Sequence, residues 1–288
     1  MKALVFGEVL WDIYPDSEYI GGAPLNFATH FLKCGGESWI VTSVGNDILG
    51  NKTIDEIKKM CINTEYITYS DKETGKCLVK LDGNQIPTYN LLDNVAYDFI
   101  KKPYIKENLF DVLYFGTLSL RNENNGTILS QIISENEFNE IFVDVNIRPP
   151  YYNKDVVNYA CENATILKIS EEELPVVGEC IKCKAEDITE CAQIIGDKFE
   201  KLKIVIITKG EKGSLVYDCQ NKKNYSHEAE KVAVVSTVGA GDSFSAAFLS
   251  VFLQTGDIEK ALNFSTKISA FVVSQKEAIP DYNLNDFV

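Results

Sequence analysis

Residues 231–256 read KVAVVSTVGAGDSFSAAFLSVFLQTG, and this stretch indicates the type of fold. KVAVVSTV, at 231–238, has the apolar and β-branched composition of a strand. From Asp242 onward apolar side chains recur on one helical face, and Gly256 is a suitable helix terminator. The turn Gly239-Ala240-Gly241 is therefore predicted at a helix N-terminus, where free N–H groups and the helix dipole favour an anion.

Asp242 places a carboxylate where an anion is expected, and this stretch alone leaves two interpretations open. Asp242 is an ordinary acid in the first turn of a helix, which is common and mildly stabilising. Alternatively, the anion is a phosphoryl group in transfer, and Asp242 accepts the proton of the attacking hydroxyl. The sequence contains no Gly-Lys-Ser/Thr of a Walker loop, and Phe244 stands where a dinucleotide fingerprint needs glycine. The turn is thus a different kind of phosphate-binding device.

Apolar runs alternate with helical patterns along most of the chain, and they read ALVFG, SWIVTSVG, DVLYFGTL, EIFVDVN, ATILKIS and KIVIITKG. Such runs are typical of buried parallel strands. The alternation predicts an α/β fold with a doubly wound, mostly parallel sheet flanked by helices. Ligands bind such sheets beyond the carboxyl ends of the strands.

Two segments, at about 13–22 and about 74–92, break this alternation. They have the pattern of short strands joined by turns, and Asp82-Gly83 in the second is a hairpin signal. They predict a small β-sheet beside the main one, acting as a lid or as a dimer surface. Because no repeat or long linker interrupts the sequence, residues 1–288 are predicted to form one domain.

The formal net charge of −14 argues against nucleic acid or an anionic membrane as a partner, because either would repel the chain. The N-terminal apolar run lacks the features of a signal peptide, and the eight cysteines are scattered. These features predict a cytoplasmic protein with reduced thiols. Cys180 and Cys183 form a C-x-x-C pair, but neither histidine stands at zinc-ligand spacing, which favours coincidence over a metal site.

TVGAGDSFSAA resembles the C-terminal signature of the PfkB (ribokinase-like) family of sugar and nucleoside kinases, and GGAPLNFATHFLKCGG with VGNDILG resembles its N-terminal one. Two signatures in the right order are more specific than either alone. The resemblance implies a ribokinase-like fold and an ATP-dependent kinase. In it, Asp242 matches the catalytic base, and the backbone amides of Gly239, Ala240 and Gly241 match the anion hole.

The resemblance also implies a sugar site near the N-terminus, and GEVLWD followed by GGAPLN is similar to fructokinases. Asp12, which we expect at the end of the first strand, matches an acceptor for sugar hydroxyls; its alternative role is a structural cap. Asn26 matches another sugar ligand, or it caps a helix. The full set of implied substrate-binding residues is Asp12, Gly22, Asn26, Asn146 and Arg148, the last two lying in an element headed by Asp144.

On the nucleotide side, the resemblance implies that Glu173 orders Mg²⁺ and its waters, although Glu171 and Glu172 are equally consistent with a solvated helix start. Thr208, Gly210 and Gly213 match positions that bind nucleotide phosphate and ribose, and Asn263 is a candidate for the adenine edge. The family commonly has aspartate at a monovalent-cation site where this chain has Ser236. Activation by potassium is therefore open.

These features together predict a sugar kinase that takes ATP, Mg²⁺ and a small sugar, most simply fructose. Other sugars, such as 2-keto-3-deoxygluconate or ribose, and nucleosides use similar motifs. A non-catalytic sugar-binding regulator is less consistent with an intact Asp242 and glycine turn. A dinucleotide oxidoreductase is disfavoured because the G-x-G-x-x-G fingerprint is not in the sequence.

Overall fold

The computed structural model describes residues 1–81, 87–106 and 110–287. Its strands are β1 (Lys2–Phe6), β2 (Leu10–Ile13), β3 (Glu18–Gly21), β4 (Glu37–Gly45), β5 (Ile67–Ser70), β6 (Gly75–Leu81), β7 (Pro87–Leu91), β8 (Val112–Gly116), β9 (Glu140–Asp144), β10 (Ile166–Ser170), β11 (Ile204–Thr208), β12 (Ser214–Asp218) and β13 (Lys223–His227). Its α-helices are α1 (Ala23–Lys33), α2 (Ile48–Lys59), α3 (Glu123–Glu135), α4 (Lys154–Asn163), α5 (Leu174–Ile181), α6 (Ile188–Lys198), α7 (Ala240–Thr255) and α8 (Ile258–Val273).

The main sheet contains nine of the described strands, in the order β13-β12-β11-β10-β9-β8-β1-β4-β5. All neighbours from β11 to β5 are parallel, and β12 and β13 add an antiparallel edge. The six apolar runs identified in the sequence correspond to β1, β4, β8, β9, β10 and β11, so the predicted mostly parallel sheet is confirmed. The parallel strands are nearly continuous in apolar residues because helices cover both faces.

Two apolar layers lie on opposite faces of this sheet. One layer packs α1, α2, α7 and α8 against side chains such as Val5, Tyr114 and Phe142. The other packs α3, α4, α5 and α6 against the alternate positions of the same strands, such as Leu4 and Val143. The period-two alternation of a strand therefore decides which layer each residue joins. Among the described helices, none is long and apolar enough to cross a membrane.

A second sheet has four strands in the order β3-β2-β6-β7 and corresponds to the predicted small sheet. Its first strand begins at Leu10, earlier than the predicted boundary near residue 13. The expectation that Asp12 ends the first strand is wrong, because β1 ends at Phe6 and Asp12 lies within β2 of the small sheet. The predicted hairpin turn at Asp82-Gly83 lies outside the described residues.

The predicted strand at 231–238 is also wrong, because the last strand ends at His227. The valines of this segment are exposed, including Val234 at 65% and Val235 at 54%. Its backbone is anchored to a helix instead of a strand, since the amides of Val235 and Ser236 both donate to the carbonyl of Val273 at the end of α8. The apolar composition therefore marks an exposed segment beside the glycine turn.

Candidate active site

The glycine turn lies at the N-terminus of α7, as the sequence predicts. Gly239 has φ +80°, and a Cβ atom there would lie 2.5 Å from the carbonyl oxygen of Ala278, so only glycine fits without strain. The amide of Ala240 makes a long bond of 3.3 Å to the carbonyl of Thr237. Within the described part of the chain, the amides of Gly239 and Gly241 donate to no protein acceptor. These two amides are available to an anion.

Asp242 lies in the first turn of α7 with only 9% of its surface exposed. Its carboxylate accepts a hydrogen bond of 2.8 Å from Nδ2 of Asn26 in α1. Burial, followed by the charge of Asp144, raises its pKa to about 6, although Asn26, Lys168 and Arg148 oppose the rise. The group is therefore poised to gain and lose a proton near neutral pH, as a general base requires.

The strand ends beneath α7 carry a buried ion pair that our reading of the sequence did not identify. Nζ of Lys168 in β10 lies 2.7 Å from Oδ2 of Asp144 in β9, and both residues are under 5% exposed. A Cβ atom on Gly241 would lie 3.2 Å from Nζ of Lys168, so this ammonium lies directly against the turn. The signal in the sequence was one charged residue, a lysine, within the otherwise uncharged run ATILKIS.

Glu173 joins two loops at the carboxyl ends of the strands. Its Oε1 accepts from the amide of Ile147 at 2.5 Å, and its Oε2 accepts from the amide and the hydroxyl of Ser170 at 2.7 and 2.8 Å. Glu171 pairs with a surface lysine, and Glu172 is exposed. Among the described residues no group of three or more His, Cys, Asp or Glu side chains is arranged to hold a metal ion. Glu173 is thus the acid of this run that is built into the site.

The small sheet carries Asp12. Asp12 in β2 is directly across from Cys77 in β6, and a Cβ atom on Gly21 would lie 3.2 Å from its Oδ2. Burial raises the pKa of Asp12, whereas a hydrogen bond from Cys77 and the charge of Arg148 oppose that rise. The carboxylate is therefore held in a narrow space between two strands of the small sheet.

Gly22 and Asn26 connect the small sheet to the glycine turn. Gly22 is the N-cap of α1 with φ +111°, and a Cβ atom there would lie 2.5 Å from the carbonyl oxygen of Glu8. Asn26 lies in the interior of α1, so it is not a helix cap. Its Oδ1 is buried and has no hydrogen-bond partner among the described residues. The same is true of Oε2 of Glu8, a residue that is 3% exposed. These unpartnered acceptors are suited to donors from a ligand.

Arg148 lies within electrostatic range of three of these carboxyl groups. Its charge lowers the pKa of Asp12, Glu8 and Asp242, although burial is the largest influence on all three and raises it. The Glu8 carboxyl reaches a pKa of about 7 in this way. Asn146 lies nearby in the chain in a left-handed conformation with φ 43°. Glu8, which our reading of the sequence passed over within GEVLWD, therefore belongs to the same cluster.

The residues predicted for the nucleotide are spread over a wider surface. Thr208 ends β11, and Gly210 and Gly213 lie in the turn before β12 with φ +55° and +91°. Asn263 is an exposed residue of α8. It lies ten residues before Val273, or about 15 Å along the helix axis from the anchor of the 231–238 segment. No hydrogen bond recorded for the described residues joins Asn263 to the rest of the site.

Comparison with known proteins identifies the family of the chain. Residues 12–284 match the profile of the pfkB family carbohydrate kinases. The chain is 27% identical to a probable fructokinase-5 of Arabidopsis thaliana, over 96% of this chain and 92% of that protein. It is 26% identical to a nucleoside kinase of Methanocaldococcus jannaschii, over 90% of this chain and 80% of that protein.

The fold is also that of a solved kinase. A fructokinase from Vibrio cholerae, with fructose, ADP and calcium bound, superimposes with a TM-score of 0.84 over 99% of this chain and 98% of that chain, at 23% identity. The predicted ribokinase-like architecture is therefore confirmed. The chain belongs to the pfkB family of carbohydrate kinases, phosphotransferases whose acceptor is an alcohol.

Proposed function

We propose that this kinase transfers the γ-phosphoryl group of ATP to a hydroxyl of fructose. The observation that carries the proposal is the buried Asp242, one residue beyond the free amide of Gly241 at the start of α7. A base and an anion-binding turn on adjacent residues are the two elements that phosphoryl transfer to an alcohol needs.

In the proposed reaction, Asp242 takes the proton of the attacking hydroxyl. Asn26 orients the carboxylate through its 2.8 Å bond and leaves its own Oδ1 as an acceptor for the sugar. The amides of Gly239 and Gly241, with that of Ala240 after it releases Thr237, hold the charge on the transferring group. Catalysis is then mainly positioning and electrostatic stabilisation.

The sugar would lie between the small sheet and α1. Asp12 accepts hydrogen bonds from neighbouring hydroxyls, Gly22 lets the backbone approach the ligand, and Arg148 and Asn146 close the site from the loop after β9. Fructose is favoured over other acceptors because the Arabidopsis relative and the V. cholerae structure are named as fructokinases, the latter with fructose bound. The nucleoside kinase among the relatives makes a nucleoside the alternative acceptor.

The nucleotide would lie along Thr208, Gly210 and Gly213, with adenine toward Asn263. Support comes from ADP in the V. cholerae structure and from the two glycines in the turn after β11. Mg²⁺ fits beside Glu173 through its waters, because it usually keeps several waters and binds few carboxylates directly. It would supply positive charge to the phosphates, and Glu173 would hold those waters while keeping the Ile147 and Ser170 loops together.

We further propose that residues 1–288 act as one cytoplasmic kinase domain that does not bind nucleic acid or a membrane, and that pairs through the small sheet. Tyr19 and Tyr89 on that sheet are 54% and 52% exposed, which suits a partner surface. Sedimentation of the protein tests the pairing, and Tyr89→Ser is expected to weaken it.

A screen of ADP release over fructose, 2-keto-3-deoxygluconate, ribose and adenosine tests the acceptor. We expect kcat/KM for fructose to exceed that of the others by about tenfold or more. Asp242→Asn serves as the matched control for contaminating kinases. A higher kcat/KM for adenosine would make a nucleoside the proposed acceptor in place of fructose. No turnover of any acceptor would favour a non-catalytic sugar-binding regulator.

A further inference from the structure

Lys168 in β10 and Asp144 at the end of β9 form a polar pair in the main sheet, beneath α7. They are directly opposite in the β9–β10 register, on the face that carries Phe142 and Ile166. Both side chains are therefore placed in the apolar layer that packs against α7, at 4% and 3% exposure. Their Nζ–Oδ2 distance of 2.7 Å is that of a charge-assisted hydrogen bond.

Stability alone does not explain this pair. Desolvation of two charges can exceed their mutual attraction, so apolar residues in the same place are often equally stable or more stable. The Ser245 hydroxyl in α7 adds little stabilisation to the Asp144 carboxylate. It lies 3.4 Å from Oδ2 of Asp144 and donates a shorter bond, of 2.8 Å, to the carbonyl of Gly241. The pair is thus better explained by what lies above it.

Above it lie the turn and the base. Nζ of Lys168 lies against Gly241, one residue before Asp242. The polar and charged groups that influence Asp242 come from every surrounding element, and they are Glu8 after β1, Asn26 in α1, Tyr114 in β8, Asp144 in β9, Arg148 after β9 and Lys168 in β10. Two of these are carboxyls, and Lys168 is the buried cation among them, whereas Arg148 is exposed.

We propose that Lys168 is a positioning residue of the phosphoryl-transfer site, whose buried ammonium neutralises Asp144 beneath the glycine turn and thereby keeps Asp242 ionised as a base at neutral pH. The inference rests on the proposed role of Asp242. Without the ammonium, Asp242 and Asp144 would be two carboxylates in one buried region, and like charges there favour protonation of one of them.

Burial is the largest influence on Lys168 and lowers its pKa, but the charge and hydrogen bond of Asp144, together with the charges of Glu173 and Asp242, outweigh it, so the pKa of Lys168 lies above its usual value. Lys168 is therefore a fixed positive charge across the working pH range. The charges of Lys168 and Asp144 act on Asp242 with opposite signs, so their removal shifts its titration in opposite directions. A structural role for the pair would produce no such opposition.

The test is the pH dependence of kcat/KM for the sugar at saturating ATP, between about pH 5 and about pH 9, because it reports the ionisation of the essential base. In Lys168→Met the acidic limb of this pH profile, where Asp242 gains its proton, should move to higher pH by about one unit or more, because a nearby positive charge is lost. In Asp144→Asn it should move to lower pH. In the double variant it should return close to the wild-type position. Repeating the series in a Glu8→Gln background removes the second titrating acid.

Acidic limbs that stay within about 0.3 units of the wild type, or that move the same way in both single variants, would overturn the inference. If Lys168→Met does not fold, the other two variants still test the inference. Asp144→Asn must shift the acidic limb to lower pH, and the double variant must return it to the wild-type position. Failure of the base assignment is separate: it shows as an active Asp242→Asn enzyme, whatever the limbs of the other variants do.

Discussion

Two buried aspartates in this molecule have opposite surroundings. Asp98, beneath the small sheet, accepts hydrogen bonds from Nε and Nη2 of Arg121 at 2.7 and 2.8 Å and from the amide of Val95 at 3.1 Å. Asp242 accepts one described hydrogen bond, from Asn26, and its pKa is raised to about 6 by burial. A carboxylate with a bidentate arginine is held in one geometry and contributes to structure. One with a single neutral donor remains free to exchange a proton.

The arginine region extends this contrast. The Arg121 guanidinium lies 5.0 Å from the ring of Tyr97 and 4.6 Å from that of Tyr151, and it also donates to the carbonyl of Leu92 after β7. Arg121 thus attaches the end of the small sheet to the main body of the protein. The chain has only one other arginine, Arg148, which is exposed at the site. Each arginine serves one of the two regions.

Asp242→Asn should produce the largest effect on activity. Loss of the base is expected to lower kcat by a factor of about 10² to 10⁴, while removal of a buried charge should not lower the free energy of unfolding. Steady-state ADP release and urea denaturation measure the two quantities. A variant that keeps more than about a tenth of the wild-type kcat would show that Asp242 is not the base.

Arg121→Met should have the reverse profile, with its main effect on stability. It leaves the Asp98 carboxylate buried without its partner, which typically costs about 3–5 kcal/mol of unfolding free energy. Urea denaturation measures this loss. Lys222→Met is the matched control, because it removes an ion pair with Asp197 in which both side chains are 59% exposed, and little change is expected. Equal losses in the two variants would contradict the structural role of Arg121.

Asp12→Ala should affect the sugar and not the nucleotide. Loss of a charged acceptor for hydroxyls is expected to raise the KM for the sugar by about 10- to 100-fold, with the KM for ATP nearly unchanged. Initial rates with each substrate varied in turn give both constants. Asp16→Ala, an exposed acid in the same β2–β3 hairpin, is the control. If both KM values rise together in Asp12→Ala, Asp12 does not belong to the sugar side.

Potassium should have the smallest effect. Ser236 is neutral where the family commonly has a carboxylate, and among the described residues its Oγ accepts only a 3.3 Å bond, from the amide of Val238. A hydroxyl attracts a monovalent ion less than a carboxylate does. We expect little change in the initial rate when sodium replaces potassium at constant ionic strength, and a gain of dependence in Ser236→Asp. Strong, saturable activation of the unmodified enzyme would show that backbone oxygens suffice.

The sequence by itself determined the parallel core, because long apolar runs separated by amphipathic stretches permit few arrangements other than strands covered by helices. It also determined the glycine turn and Asp242, since Gly239 needs a left-handed backbone and Gly256 ends the helix with φ +66°. Strand composition, turn glycines and helix ends depend on residues that are close together in the chain, so the sequence pattern shows them directly.

Tertiary structure decided the features that depend on distant partners. The apolar 231–238 segment is exposed because its amides bind Val273 at the end of α8, and no local pattern reports that choice. Asp12 belongs to the small sheet because β6, more than sixty residues later, pairs with β2. Lys168 is part of the site only because Asp144 on the next strand offsets its buried charge and α7 begins directly above it. Burial and pairing over long sequence separations set these outcomes, so they become visible only when the chain is folded.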